Sequence, residues 1–114
     1  MKKVRILLFL FMGFAFIHSA DGQKIYSADA EYKADIKVYV VDQEYKADLV
    51  VFKEDQEYKA KENKGLWFFV DAEYKADKKI YFEDAGYKAD LKIFFTDEEY
   101  KAQWKKPEKK YLLY

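Results

Sequence analysis

From Tyr32 onward the chain alternates. Tyr32, Ala34, Ile36, Val38 and Val40 fall on one side, and Lys33, Asp35, Lys37, Tyr39 and Val41 on the other. Such period-2 alternation marks a half-buried β-strand. Toward the end of each run both sides turn apolar, as in "KVYVV", "LVVF", "LWFFV", "KIYF" and "LKIFF". A strand of that kind is exposed on one side at its start and enclosed at its end. Its β-branched and aromatic residues suit a pleated, packed surface. Polar triplets separate the runs: Asp42-Gln43-Glu44, Asp55-Gln56-Glu57, Asp71-Ala72-Glu73, Asp84-Ala85-Gly86 and Asp97-Glu98-Glu99. Asp at a turn start bonds backbone N–H groups just downstream. Gly86 in the third place points to a three-residue loop with a left-handed residue there.

The pattern recurs. Tyr32, Tyr45, Tyr58, Tyr74, Tyr87 and Tyr100 each stand in a copy of "EYKAD" or a close variant, at steps of 13, 13, 16, 13 and 13. Helical solenoid units need about 33 residues or more, so this period belongs to strands. Eight or nine strand residues and a tight turn fill one repeat. The insertion "KENKG" at Lys61 to Gly65 divides the array into three copies and three copies. It is either an ordinary loop or the point where the path shifts between two three-repeat passes. The expected architecture is all-β: a compact array of six repeats of about 13 residues, with six or seven short strands.

The segment before the array changes what counts as the domain. Lys2, Lys3 and Arg5 precede an uncharged, mostly apolar run from Ile6 to Ile17, and Ala20 and Gly22 follow. Charge, a short apolar stretch and small residues in that order read as a secretory leader. We assign residues 1–22 to it, with cleavage after Gly22 and Ala20 as the next choice. The β-repeat domain then spans 23–104. Residues 105–114 form a tail that departs from the repeat and is expected to pack on the domain. The destination is periplasmic or extracellular.

Removing Lys2, Lys3, Arg5 and Asp21 leaves 18 Lys against 20 acidic residues. That near balance points away from nucleic acid. No membrane contact is expected once the leader is gone, and a monomer is expected. His18, Met1 and Met12 also lie in the leader, and the chain has no Cys. Disulfides, the usual staple of small secreted domains, are therefore ruled out. Aromatic residues, 20% of the chain, are the remaining resource for a core.

The array of "[KV]-[IV]-[YF]-x-x-D-x-E-Y-K-A-D" units, from Lys24 to about Trp104, resembles the septafoil-knot family. These are small bacterial domains of unknown function, built from short β repeats whose backbone traces a seven-crossing torus knot. The resemblance implies that topology. It brings no catalytic or binding residues. On such a path each repeat would pack against copies distant in sequence. The small Ala34, Ala47, Ala60, Ala76, Ala89 and Ala102 would allow close approach, and threading would slow unfolding.

Chemistry is defined mostly by what is missing. Past residue 22 the only aliphatic hydroxyls are Ser27 and Thr96, and there is no His to activate them. Neither a phosphate-binding loop nor a dinucleotide fingerprint occurs. No catalytic residue, cofactor or metal ligand is assigned, and a non-enzyme is expected. Calcium is the better ionic candidate, through pairs such as Asp29/Glu31 and Asp42/Glu44. Pairing of Lys with Asp or Glu of adjacent repeats is the preferred use of those charges. In each "EYKAD", Tyr and Ala are read as facing a core and Lys and Asp as standing outward. Trp67, where other copies have Ile or Val, is read as packing. The best reading is an exported, non-enzymatic repeat domain of unknown role, selected for resistance to unfolding and proteolysis. The alternative is a glycan or cell-wall binding module that uses Tyr32, Tyr45, Tyr58, Tyr74, Tyr87 and Tyr100. Ring exposure separates the two.

Overall fold

The computed structural model describes residues 22–114. The expected leader lies outside them, apart from Gly22. Seven strands form: β1 (Lys24–Ser27), β2 (Ile36–Val40), β3 (Leu49–Lys53), β4 (Leu66–Phe69), β5 (Lys78–Phe82), β6 (Leu91–Thr96) and β7 (Gln103–Trp104). The all-β repeat architecture is as the pattern predicts, but the strands are shorter. β1 to β6 hold four to six residues each, not eight or nine.

The missing length is in E-Y-K. Every copy, from Glu31–Lys33 to Glu99–Lys101, folds as a single 3-10 turn. In the second copy the Lys46 N–H donates to Gln43 O at 3.0 Å and the Ala47 N–H to Glu44 O at 3.1 Å. A 3-10 turn breaks the two-residue alternation. Tyr32 therefore does not share the inward face of Ile36 and Val38. Nor is Gly86 left-handed. Positive φ occurs instead at Glu62 (60°) and Gly65 (96°), both in the insertion. The place of Gly86 needs no special backbone, which is why Glu occupies it in the other copies.

β1 pairs with β4 and β5, β2 with β5 and β6, and β3 with β6 and β4, all parallel. Six strands thus close a barrel in the order β4-β1-β5-β2-β6-β3. β7 runs antiparallel along the start of β3. Successive strands usually sit two places apart, with a strand from the other half of the chain between them. β3 and β4 are the exception: they are neighbours, and their link carries the insertion. The chain therefore passes round the ring twice, and Lys61 to Gly65 is where the first pass shifts to the second. A closed ring leaves no open sheet edge.

Alternate side chains fill the barrel. Ile25, Ile36, Val38, Leu49, Val51, Trp67, Ile80, Leu91 and Ile93 are all buried, and Phe69, Phe82 and Phe95 extend the cluster. Six strands leave an interior that side chains can fill completely. The 3-10 helix Pro107–Leu113 adds Leu112 and Leu113 to the same core. The insertion holds this tail. Asn63 Nδ2 donates to Lys110 O at 3.0 Å, and Trp104 Nε1 donates to Asn63 O at 3.1 Å. Gln23 Nε2 adds a bond to Leu113 O at 3.3 Å.

Candidate functional site

Each link between strands is a strap. The E-Y-K turn of the first strap packs on β5, the second on β6, the fourth on β1, the fifth on β2 and the sixth on β3. In each case this is the strand lying between the two that the link joins, or the last strand before β7. The third strap, which steps over nothing, packs on β4. Straps lie outside the barrel: a Cβ on Gly86 would meet the ring of Tyr39, which points away from the core side of β2.

The final Asp of "EYKAD" fastens four of the five crossing straps. The Asp35 N–H donates to Lys79 O at 2.7 Å, and the Lys79 N–H donates back to Asp35 Oδ2 at 2.9 Å. Asp48 repeats this with Lys92, Asp77 with Lys24 and Asp90 with Lys37. Charge-assisted bonds of this kind are among the stronger ones. Asp35, Asp77 and Asp90 are exposed, as expected, but the expected ion-pairing role of the final Asp is corrected. Its carboxylate satisfies a backbone donor of the strand beneath. The two copies without Asp explain themselves. Lys61 ends the strap that steps over nothing, and Gln103 begins the antiparallel β7. Asp48 is the buried member and also receives Lys109 Nζ at 3.1 Å and Lys106 Nζ at 3.6 Å from the tail.

Strand lysines do pair with Glu of other copies, Lys37 with Glu31 at 3.4 Å, Lys79 with Glu73 at 3.4 Å and Lys24 with Glu57 at 3.5 Å, but the strap lysines are corrected. Three reach back to the turn Asp of their own copy: Lys33 to Asp29 at 3.2 Å, Lys46 to Asp42 at 3.7 Å and Lys75 to Asp71 at 3.2 Å. The hydrogen bond to Asp29 raises the Lys33 ammonium above its ordinary range. These pairs are exposed and contribute little to stability. Among the described residues no three acidic side chains converge as a metal would require.

All six tyrosines face solvent. Tyr32, Tyr45, Tyr58, Tyr74, Tyr87 and Tyr100 are 65% to 88% exposed. They are not core, because a single 3-10 turn on the outside of a strand aims its middle side chain away from the barrel. The alanines do turn inward beneath the straps: Ala47 and Ala60 are buried and the others half-buried. Trp67 is fully buried, as expected.

At the seam, two open grooves adjoin. One, of about 610 Å³, runs along Gln56, Tyr58, Lys61 and Asp77; the other, of about 700 Å³, along Phe68, Val70, Tyr74 and Lys75. Lys24 and Glu57 border both and pair at 3.5 Å. Tyr58 and Tyr74 therefore stand beside a polar ridge with half-buried Phe68 on the floor. That combination of flat rings, charge and an apolar floor is suited to ligand contact.

A family model described as the 7(1) septoil knot domain matches residues 22–105. The chain belongs to this family. In septoil-knot terms, the match covers the whole barrel and ends just after β7. No curated protein and no solved structure matches the chain.

Two residues escaped the sequence reading. Glu54 and Glu83 are buried, each just before a turn Asp. The equivalent residues elsewhere are Ala28, Val41, Val70 and Thr96. The signal was there, as a carboxylate at a place otherwise small or apolar.

Proposed function

We propose that this septoil knot domain is an exported, non-enzymatic binding module that lays its strap tyrosines against a repeating extracellular polymer, a glycan above all. The observation that carries this reading is the exposure of all six repeat rings. Large aromatic rings held out at equivalent places on a closed scaffold suit repeated contact with a repeating ligand. Co-sedimentation of the purified protein with insoluble glycans and cell-wall polymer tests it. Tyr58→Ala combined with Tyr74→Ala should weaken binding, and replacing all six rings should abolish it. Binding that survives loss of all six overturns the reading.

A second reading, selection for resistance to unfolding, is favoured by the interleaved strand order. Each strap that crosses a strand must lift before that strand can leave the ring. The order is also what a path twice round a torus requires, in keeping with the seven-crossing topology proposed for this chain. Pulling both ends of one molecule tests this. A tightened knot leaves the extended chain short of the ~3.3–3.6 Å per residue of a free one.

A further inference from the structure

The crossings differ in one respect. The fourth strap packs on β1, which is followed by Ala28, and the fifth on β2, which is followed by Val41. At the sixth strap Glu99 meets Glu54, and at the first Glu31 meets Glu83. In these two crossings carboxyl faces carboxyl.

Both inner residues are held by their backbones and enclosed. The Glu54 N–H donates to Trp67 O at 2.7 Å and the Glu83 N–H to Val38 O at 2.7 Å. Glu54 is 6% exposed and Glu83 8%. Oε2 of each is buried with no hydrogen-bond donor. A buried acceptor left without a donor is costly. The opposed group is another carboxyl, Glu99 or Glu31, on the strap that packs on that strand, so the only donor the pair can supply is a proton of its own. The lysines nearby lower the cost of charge without removing it: Lys59 of the third strap acts on Glu54, with Asp55 opposing it. Lys37 of β2 and Lys88 of the fifth strap act on Glu83. Lys37 Nζ already sits 3.4 Å from Glu31 Oε2.

We infer that Glu54 with Glu99, and Glu83 with Glu31, are two proton-bridged clasps that fasten the sixth and first straps to the ends of β3 and β5 and loosen when the proton leaves. The two clasps lie 29 residues apart at equivalent places in the third and fifth copies, so one pH change acts on both passes of the chain. Burial first, and the Glu99 carboxyl second, push Glu54 up to about 7. Burial and then Glu31 push Glu83 upward as well. The folded protein therefore holds these protons more tightly than the unfolded chain. The stability that Glu54 contributes therefore falls as pH rises from the ordinary Glu range toward about 7, and Glu83 acts in the same direction. The first strap carries Tyr32 and the sixth carries Tyr100, so opening loosens the mounting of two of the six exposed rings.

Urea unfolding of the purified protein across about pH 5 to 8 tests the clasps. The wild-type midpoint should fall through that range. Glu54→Gln with Glu83→Gln supplies a permanent amide donor to each partner carboxylate and should remove most of the fall. The exposed partners offer a second route if the buried substitutions prevent folding: Glu99→Gln with Glu31→Gln should flatten the profile in the same way. Carbon-13 carboxyl titration of the wild-type protein reads the groups directly, and should show Glu54 and Glu83 protonated above the ordinary carboxylate range. A midpoint that is flat or rises through the window, or Glu54 and Glu83 titrating as ordinary carboxylates, overturns the inference.

Discussion

Asp77 and Lys24 face each other across 53 residues of chain and exchange two hydrogen bonds. The Asp77 N–H donates to Lys24 O at 2.7 Å, and the Lys24 N–H donates to Asp77 Oδ2 at 2.9 Å. The same reciprocal clamp closes four crossings. It turns a five-letter repeat into a fastening between the two passes of the chain.

Removing one clamp carboxylate should destabilise the barrel by about 1–2 kcal/mol, since the strand N–H loses a charged acceptor. Asp77→Ala is the direct case. Asp48→Ala should cost about 2–4 kcal/mol, because Asp48 is buried and also receives Lys109 and Lys106 from the tail. Urea midpoints of the two variants at one pH give the comparison. Equal effects would show that the tail adds nothing at Asp48.

Gly65 and Gly86 should respond oppositely to alanine. A Cβ on Gly65, at φ 96°, would collide with Val50 O. Both the backbone and the strand would have to shift, so Gly65→Ala should cost about 2 kcal/mol or more. A Cβ on Gly86 would find Tyr39 at an ordinary 3.4 Å with no left-handed backbone. Gly86→Ala should be neutral or stabilising by about 0.4–1 kcal/mol. Thermal melts of both variants decide.

Trp67 is buried completely, yet its Nε1 has no hydrogen-bond partner. Trp67→Ala should cost about 3–5 kcal/mol through the cavity left in the barrel. Trp67→Phe should cost less than about 1.5 kcal/mol, because it also removes a stranded donor. A Phe variant as damaged as the Ala variant would mean that Nε1 is satisfied in solution.

Single Tyr→Ala changes on the straps should alter stability by no more than about 0.5 kcal/mol, since the rings face solvent. Leu113→Ala should cost about 2–4 kcal/mol, because Leu113 is 1% exposed within the core. Chemical denaturation of Tyr74→Ala beside Leu113→Ala separates a displayed ring from a packed one. A large loss at Tyr74 would place its ring in the fold rather than on it.

Much of the fold was legible because period and phase are local. Ile36, Val38, Ile80 and Ile93 announce inward faces by alternation alone. The insertion after Ala60 announces a change in the path by breaking the step. The tyrosines were misplaced because a strand phase was carried through E-Y-K. A 3-10 turn has a different period, and nothing in those three letters distinguishes it from the start of a strand. The carboxyl clasps were missed because their two halves come from copies far apart.

The sequence by itself determined the repeat, the β period and the inward-facing strand residues, and marked the insertion as either a loop or a shift of path. All of these rest on side-chain size and polarity at short separation. Only the tertiary structure decided which strand each strap crosses. That choice turned Asp35, Asp48, Asp77 and Asp90 into backbone clamps, sent the tyrosine rings outward and set Glu54 against Glu99 and Glu83 against Glu31. These contacts follow the same logic: the clamps join residues 44 to 53 positions apart, Asp35–Lys79 and Asp48–Lys92 at 44, Asp77–Lys24 and Asp90–Lys37 at 53. At that separation pairing is set by the order in which strands enter the ring, and no local pattern encodes that order.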